Sequence, residues 1–355
     1  MYKKNCLKNI LKNGGLFVLL IIITFYLLFR NRNIGQILHT ASEVSFAYII
    51  IAAGCMCLFV CCEAINIRRT LKIYHYNPTF SKCIKYALAG FFFSAITPMS
   101  SGGQPMQIYY MCKDDIEISH SALALMMELA SFQAVTVTMA LLAFIMKYDF
   151  FDSIGHQMKY ILMVGVLLNT FVLILILMAF FFTGILEKFI NGILYILEKV
   201  HVKHIDQLRR KAANQLQQYQ VGAAAFKENK LVIIKIFITT FMQIIAFHSI
   251  PFWIYKAFGF YEYSIITVIS IQAVLYITVS AIPLPGSVGA SESGFMLIFQ
   301  TLFPAQVINS AMLLSRGISF YLFLCISGIF LAVVQILNKD SRVKYKQVMN
   351  VNIDK

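Results

Sequence analysis

Uncharged stretches recur along the chain at 13–29, 44–62, 86–112, 129–146, 160–186, 236–255, 263–291, 293–315 and 317–338. An apolar helix needs about 20 residues to cross the hydrocarbon core, so most of these stretches predict membrane-spanning helices. Two are interrupted by Gly and Pro. Residues 97–105 read Thr-Pro-Met-Ser-Ser-Gly-Gly-Gln-Pro, and residues 282–294 read Ile-Pro-Leu-Pro-Gly-Ser-Val-Gly-Ala-Ser-Glu-Ser-Gly. Backbone that leaves the helix at membrane depth must find partners for its freed N–H and C=O groups. It therefore survives only where protein buries it or where it lines a polar cavity. Two such breaks in corresponding halves of a polytopic chain point to a substrate site.

Composition agrees with this pattern. Hydrophobic residues make up 59% of the 355 and charged residues 13%, and the mean hydropathy is +0.74, values of an integral membrane protein rather than a soluble domain. The first stretch follows Lys3, Lys4, Lys8 and Lys12 in the manner of a signal peptide. It has no small-residue cleavage site and runs into Phe29-Arg30-Asn31-Arg32, which predicts an uncleaved first span.

The net charge of +14 raises the question of nucleic acid, but the basic residues are not spread evenly. They crowd the N-terminal tail, residues 63–85 (Arg68, Arg69, Lys72, Lys82, Lys85), residues 184–230 (including Arg209, Arg210 and Lys211) and the C-terminal tail. Loops on the opposite side carry Arg30, Arg32, Lys147, Lys159 and Lys256. The positive-inside rule places the crowded segments and both termini in the cytoplasm. Attraction to anionic inner-leaflet lipid then accounts for the excess, and no nucleic acid is needed. A bacterial plasma membrane is the expected location.

Orientation yields topology by parity. Spans at about 13–29, 46–64, 120–146, 160–183, 231–256 and 307–337 leave the runs 86–112 and 263–303 to enter and return on one side. Each is a hairpin, bent at Ser100-Ser101-Gly102-Gly103 and at Pro283–Gly289. The fold class expected is an all-α polytopic membrane protein, an inverted repeat of four plus four elements with a Gly/Pro-broken re-entrant hairpin in each half. The regions are 1–146, the first membrane repeat; 147–230, the fifth span and a cytoplasmic basic amphipathic segment; 231–337, the rest of the second repeat; and 338–355, a cytoplasmic tail. No convincing residue-level identity links the halves.

In segment 185–230, Phe189, Ile190, Ile193, Leu194, Leu197 and Val200 recur at helical spacing, and Ile205, Leu208, Ala212 and Tyr219 continue a weaker stripe. Such a helix lies on the membrane surface or packs under the bundle; a solvated linker between the repeats is the expected role. A cytoplasmic protein docking there and a second copy of the chain are the candidate protein partners. The cysteines show no ligand spacing, and His201 and His204 lack a third ligand, so neither a metal nor a cofactor is expected. No phosphate-loop, nucleophile-elbow or zinc-protease motif occurs, and no catalytic residue is assigned.

The chemistry falls to the tips and to charges inside the spans. Gly102 and Gly103 permit a tight turn, Pro105 suits the first turn of a half-helix, and Pro285, Gly286, Ser287 and Gly289 repeat the design before a short helix from Ala290. Each arrangement aims free N–H groups and a positive dipole end inward, which suits a phosphate or carboxylate. Glu128 and Arg316 stand roughly 13–16 Å into corresponding spans at 1.5 Å per residue. A charge there costs about 2.5–3.5 kcal/mol even on the lenient insertion scale, so each needs a polar interior and a partner. Either Glu128 or Glu292 serves as the partner of Arg316. His248, just before Pro251, reads as a satisfied structural histidine at a kink.

The stretch Ser-Gly-Gly-Gln-Pro-Met-Gln-Ile-Tyr-Tyr-Met at 101–111, Glu128, the Pro-Leu-Pro-Gly-Ser-Val-Gly-Ala-Ser-Glu-Ser-Gly run at 283–294 and Arg316 with its following aromatics together resemble the lysylphosphatidylglycerol synthase transmembrane region family. The resemblance spans nearly the whole chain and includes the flippase half of the bacterial multiple peptide resistance factor. It implies a helical membrane fold that moves or handles anionic and aminoacylated phospholipid, in the setting of lipid metabolism and antibiotic resistance. Ser101, Gln104 and Gln107, at and just after the first tip, join the expected substrate-binding residues. One departure stands out: many members follow the glutamate with arginine, where this chain has Leu129.

The resemblance also brings a family label, phosphatidylglycerol lysyltransferase. Only residues 338–355 follow the last predicted span, and segment 185–230 is too short for an aminoacyl-transfer domain. The expected function is therefore a phospholipid flippase or lipid-binding transporter with no aminoacyl-tRNA transfer activity of its own. The alternatives are a lipid-modifying enzyme that needs a separate catalytic domain, and an ion-coupled carrier of small anions.

Overall fold

The computed structural model describes Tyr26 and residues 34–148, 156–199, 205–280 and 282–336. The predicted first span at 13–29, Tyr26 apart, and the two tails lie outside these residues. All regular structure among the described residues is helical: α1 Ile34–Ser42, α2 Phe46–Ile73, α3 Phe80–Ile96, α4 Gly103–Cys112, α5 Ile118–Met146, α6 His156–Phe181, α7 Thr183–Lys199, α8 Ile205–Glu228, α9 Lys230–Ala257, α10 Ile265–Ser280, α11 Ala290–Phe299 and α12 Ile308–Ile336. Among them α2, α5, α6 (over Leu162–Phe180), α9 and α12 are long and apolar enough to cross a membrane. The chain is a multi-pass membrane protein. Helix α2 runs on to Ile73, past the predicted end of its span at 64, because no helix breaker intervenes before Tyr74.

The frame is the antiparallel pair α2 and α9. Ser45 N donates to Ala257 O at 3.0 Å, Asn66 Nδ2 to Thr240 Oγ1 at 3.0 Å, and Arg69 Nη1 to Lys235 O at 2.8 Å and Thr239 Oγ1 at 2.9 Å. Thr240 also lies 3.0 Å from Ser131 Oγ, so a buried polar relay ties α2, α9 and α5. Between apolar helices, where lipid competes equally for apolar contact, such bonds and small residues hold the bundle. Gly165 of α6 shows the second device. A Cβ there would stand 2.7 Å from Ile277 O of α10, and Asn169, one turn on, donates to Ile277 O at 3.4 Å and Ser280 Oγ at 3.1 Å. The carbonyl of Ile277, in the last turn of α10, thus gains a side-chain donor.

Both predicted breaks are present. Helix α3 stops at Ile96 and α4 starts at Gly103; α10 stops at Ser280 and α11 starts at Ala290. The hairpins span somewhat different residues from those expected, starting at Phe80 rather than 86 and at Ile265 rather than 263. Matching helices have near-equal lengths: 28 residues in α2 and α9, 17 and 16 in α3 and α10, 10 in both α4 and α11, and 29 in α5 and α12.

Segment α7–α8 departs from the solvated linker expected of it. Tyr219, Ala223 and Phe226 of α8 are buried, and Tyr219 OH donates to Ala179 O at 3.1 Å. Ser119 at the start of α5 donates from its backbone to Gln215 Oε1 and from its hydroxyl to Gln218 Oε1, both at 3.1 Å. The face toward α5 is therefore packed under the bundle, while Arg209 and Glu198 form an exposed ion pair at 2.8 Å.

The open end of the α3–α4 hairpin is fastened by Asp114. Lys85 Nζ lies 2.6 Å from its carboxylate and Lys82 Nζ 3.8 Å, and Tyr86 OH also donates to it. Burial of Asp114 opposes its ionisation, but the hydrogen bonds from Lys85 and Tyr86 and the two ammonium charges outweigh this and hold the carboxyl below its ordinary value. Its stabilising effect is thus full above the ordinary value of about 3.9 and is lost as pH falls through the depressed one. Asp114→Asn is expected to cost about 1.5–3 kcal/mol at neutral pH. Thermal unfolding measured across pH should show the gap between wild type and variant closing only in acid.

Candidate functional site

The two breaks are the same turn made from different side chains. In the first, Met99 (φ 54°, ψ 24°) and Ser100 (φ 54°) are left-handed; Ser100 N donates to Thr97 O at 3.2 Å and Ser101 N to Pro98 O at 3.1 Å. In the second, Gly286 (φ 57°, ψ 15°) and Ser287 (φ 50°) are left-handed; Ser287 N donates to Leu284 O at 3.0 Å and Val288 N to Pro285 O at 3.1 Å. Two successive positive φ values under such a bond are the pattern of a type I′ turn. Gly102 and Gly289 then occupy equivalent places as N-caps of α4 and α11. The proline that corresponds to Pro285 is Pro98, not Pro105. Left-handed non-glycine residues cost about 1–3 kcal/mol each, a strain that concentrates at functional sites.

The turns pack against each other. At Gly286 a Cβ would run into the Phe320 ring and stand 3.2 Å from Ala95 O at the end of α3, so only glycine lets the two tips approach this closely. Gly90 and Gly103 do the same between α3 and α4: a Cβ on Gly90 would overlap Gln107, and one on Gly103 would overlap Ser94 Oγ and stand 2.9 Å from Gly90 O.

Arg316 projects into this junction. Its Nε donates to Glu292 Oε1 at 2.9 Å and its Nη2 to Gly286 O at 3.2 Å. Glu292 is fully buried and also accepts from Tyr321 OH at 2.9 Å and from Gly289 N, the α11 cap, at 2.7 Å. Glu292 is therefore the partner of Arg316, and the alternative bridge to Glu128 is not formed. After Arg316 the helix widens to π geometry over Gly317–Leu322. The wider turn sets both Phe320 and Tyr321 beside the guanidinium, with ring centroids 4.5 and 5.9 Å from Cζ, where a regular helix would present only one of them.

A cavity of about 600 Å³ opens beside the junction. Of the residues expected at the site, Ser101, Gln104, Gln107, Glu128, Gly286, Ser287 and Arg316 border it. Gly102, Gly103, Pro285, Gly289 and Glu292 do not: they stand behind the wall, where they set the turns, cap α11 and hold Arg316. Leu168, Phe171 and Val172 of α6 border the cavity and are exposed, so one side of its wall is apolar.

Sequence reasoning missed Glu63. It lies in α2, borders the cavity, accepts from Gln107 Nε2 at 2.8 Å and is near enough to Glu128 for their charges to interact. It ended a charge-free run and so fell within the basic segment 63–85; its position one helical turn after Phe59, on the same face, was the available signal. His248 is buried, with Nδ1 lacking a hydrogen-bond partner, so it is not the satisfied histidine expected.

The chain is similar to a UPF0104 membrane protein of Archaeoglobus fulgidus, 22% identical over 277 residues that cover 78% of this chain and 80% of that protein. The pattern of the family described as the lysylphosphatidylglycerol synthase TM region matches residues 14–327, nearly the whole of the described bundle, and the chain belongs to that family.

Proposed function

We propose that this chain binds phospholipid headgroups between the two turns and carries them across the membrane. The observation that carries the reading is the junction itself: two like turns meet at the wall of one cavity and present Arg316 to it. An arginine has five N–H donors. Glu292 and Gly286 take two of those of Arg316, leaving donors for phosphate oxygens. Ser101, Gln104 and Ser287 add polar contacts, and the exposed apolar wall at Leu168, Phe171 and Val172 offers acyl chains a way to the surrounding lipid.

The matched helix lengths and the shared turn support an inverted four-plus-four repeat with re-entrant hairpins, the architecture in which a fixed site between halves is opened alternately to either side. On this reading both termini are cytoplasmic and the protein resides in a bacterial plasma membrane. Reconstitution into liposomes with fluorescent phosphatidylglycerol, read by leaflet-selective quenching, is the test. Protein-dependent leaflet exchange is the expected result; exchange no faster than in protein-free liposomes would overturn the proposal.

A further inference from the structure

Arg316 is not the only charged group at the cavity. Arg316 is already balanced by Glu292, while Glu63 and Glu128 border the cavity with no cation paired to either among the described residues. Beside them, Gln243 is buried and borders the cavity with neither Nε2 nor Oε1 hydrogen-bonded. This end of the cavity thus carries two carboxylates without a paired cation and a glutamine with both polar atoms unbonded.

Next to the acceptors stands a cycle of four aromatic rings from four helices. Phe59 of α2 lies 6.3 Å from Phe132 of α5, Phe132 lies 6.2 Å from Tyr276 of α10, Tyr276 lies 5.7 Å from Phe247 of α9, and Phe247 lies 5.2 Å from Phe59. All four border the cavity. Glu63 follows Phe59 by one helical turn, Glu128 precedes Phe132 by one and Gln243 precedes Phe247 by one, so each acceptor shares a helix face with a ring. Aromatic faces beside carboxylates recognise organic ammonium ions, because the ring quadrupole attracts the cation and its apolar substituents pack on the rings. A hydrated metal cation would use only the oxygens.

We infer that Phe59, Phe132, Phe247 and Tyr276, with Glu63 and Glu128, form a subsite for an organic ammonium group. Gln107 positions Glu63 through its 2.8 Å hydrogen bond. Joined to Arg316 in the same cavity, the subsite gives a headgroup that bears an amine as well as a phosphate a second point of contact, beyond what a phosphate alone obtains; only this joint step rests on the headgroup reading above.

The test is calorimetry on the purified full chain in detergent at constant ionic strength, with tetramethylammonium, ethanolamine, sodium, phosphocholine and phosphoethanolamine as probes. Saturable binding of tetramethylammonium or ethanolamine, absent with sodium, is expected. The better of the two amines tells whether the site takes a quaternary or a primary ammonium. Glu63→Gln/Glu128→Gln should weaken it about tenfold or more, and Phe247→Leu should weaken tetramethylammonium at unchanged carboxylate charge. Failure of both ammonium probes to bind the wild-type chain overturns the inference, as does binding unaltered by the double glutamine variant. The phosphorylated amines should bind more tightly than the bare ones, with the gain lost in Arg316→Lys. Equal binding of bare and phosphorylated amines would uphold the ammonium subsite and count against the phosphate role of Arg316.

Discussion

Glu292→Leu is expected to cost about 3–5 kcal/mol of stability, the usual penalty for removing one member of a buried ion pair. The glutamate is fully buried, and its two oxygens accept from the Arg316 guanidinium, the Tyr321 hydroxyl and the backbone N–H that caps α11. Removing it strands a guanidinium whose side chain is 14% exposed and uncaps a ten-residue helix. The double variant Glu292→Leu/Arg316→Met should regain much of the loss, since replacing both charges by apolar groups of similar volume is often neutral or stabilising. Thermal unfolding of the detergent-purified protein measures both. A single variant that loses less than about 1 kcal/mol, the range of exposed pairs, would mean the bridge is not buried as described.

What the sequence carried best was backbone chemistry. Gly and Pro clustered within a few residues stop a helix, whereas the lone Pro251 stays inside α9, which is why the breaks after Ile96 and after Ser280 were legible. The kinship of the two turns was not legible, because the same left-handed backbone is reached by different means: Gly286 adopts it without a steric penalty, and Met99 adopts it under strain. Comparing side chains therefore aligned the tips on Pro105, and only the dihedral angles show Pro98 to be the counterpart of Pro285.

Charge was read less well, for a related reason. Counting uncharged runs treats every charged residue as a boundary, so Glu292 and Arg316 stand out between runs, while Glu63, in the last turn of the predicted span 46–64, is counted with the basic segment 63–85. The helix continues through Ile73 and turns Glu63 onto the same cavity as Glu128. Partner choice lay further out of reach. Arg316 meets Glu292 instead of Glu128 because the turn at Gly286 folds α11 back beside α12, a consequence of tertiary packing that no spacing along the chain encodes.

Arg316→Lys keeps the positive charge and yet is expected to reduce phosphatidylglycerol leaflet exchange about tenfold or more, a loss of about 1.4 kcal/mol or greater in the binding or transport step. The guanidinium is a flat fork that bonds Glu292 through Nε and Gly286 O through Nη2 at once, with its remaining edge free for phosphate. A lysine has a single nitrogen on a flexible stem. It can stay with Glu292 or meet a ligand, but it cannot hold the turn carbonyl, the carboxylate and a phosphate in one plane. Because Glu292 retains a charged partner, stability should fall far less than in Glu292→Leu, which separates a transport defect from unfolding. The quenching assay in liposomes, run beside thermal unfolding of the same preparation, reads the two together. Exchange at the wild-type rate in Arg316→Lys would reduce the guanidinium to a structural counter-ion and leave the headgroup to the serines and amides of the two turns.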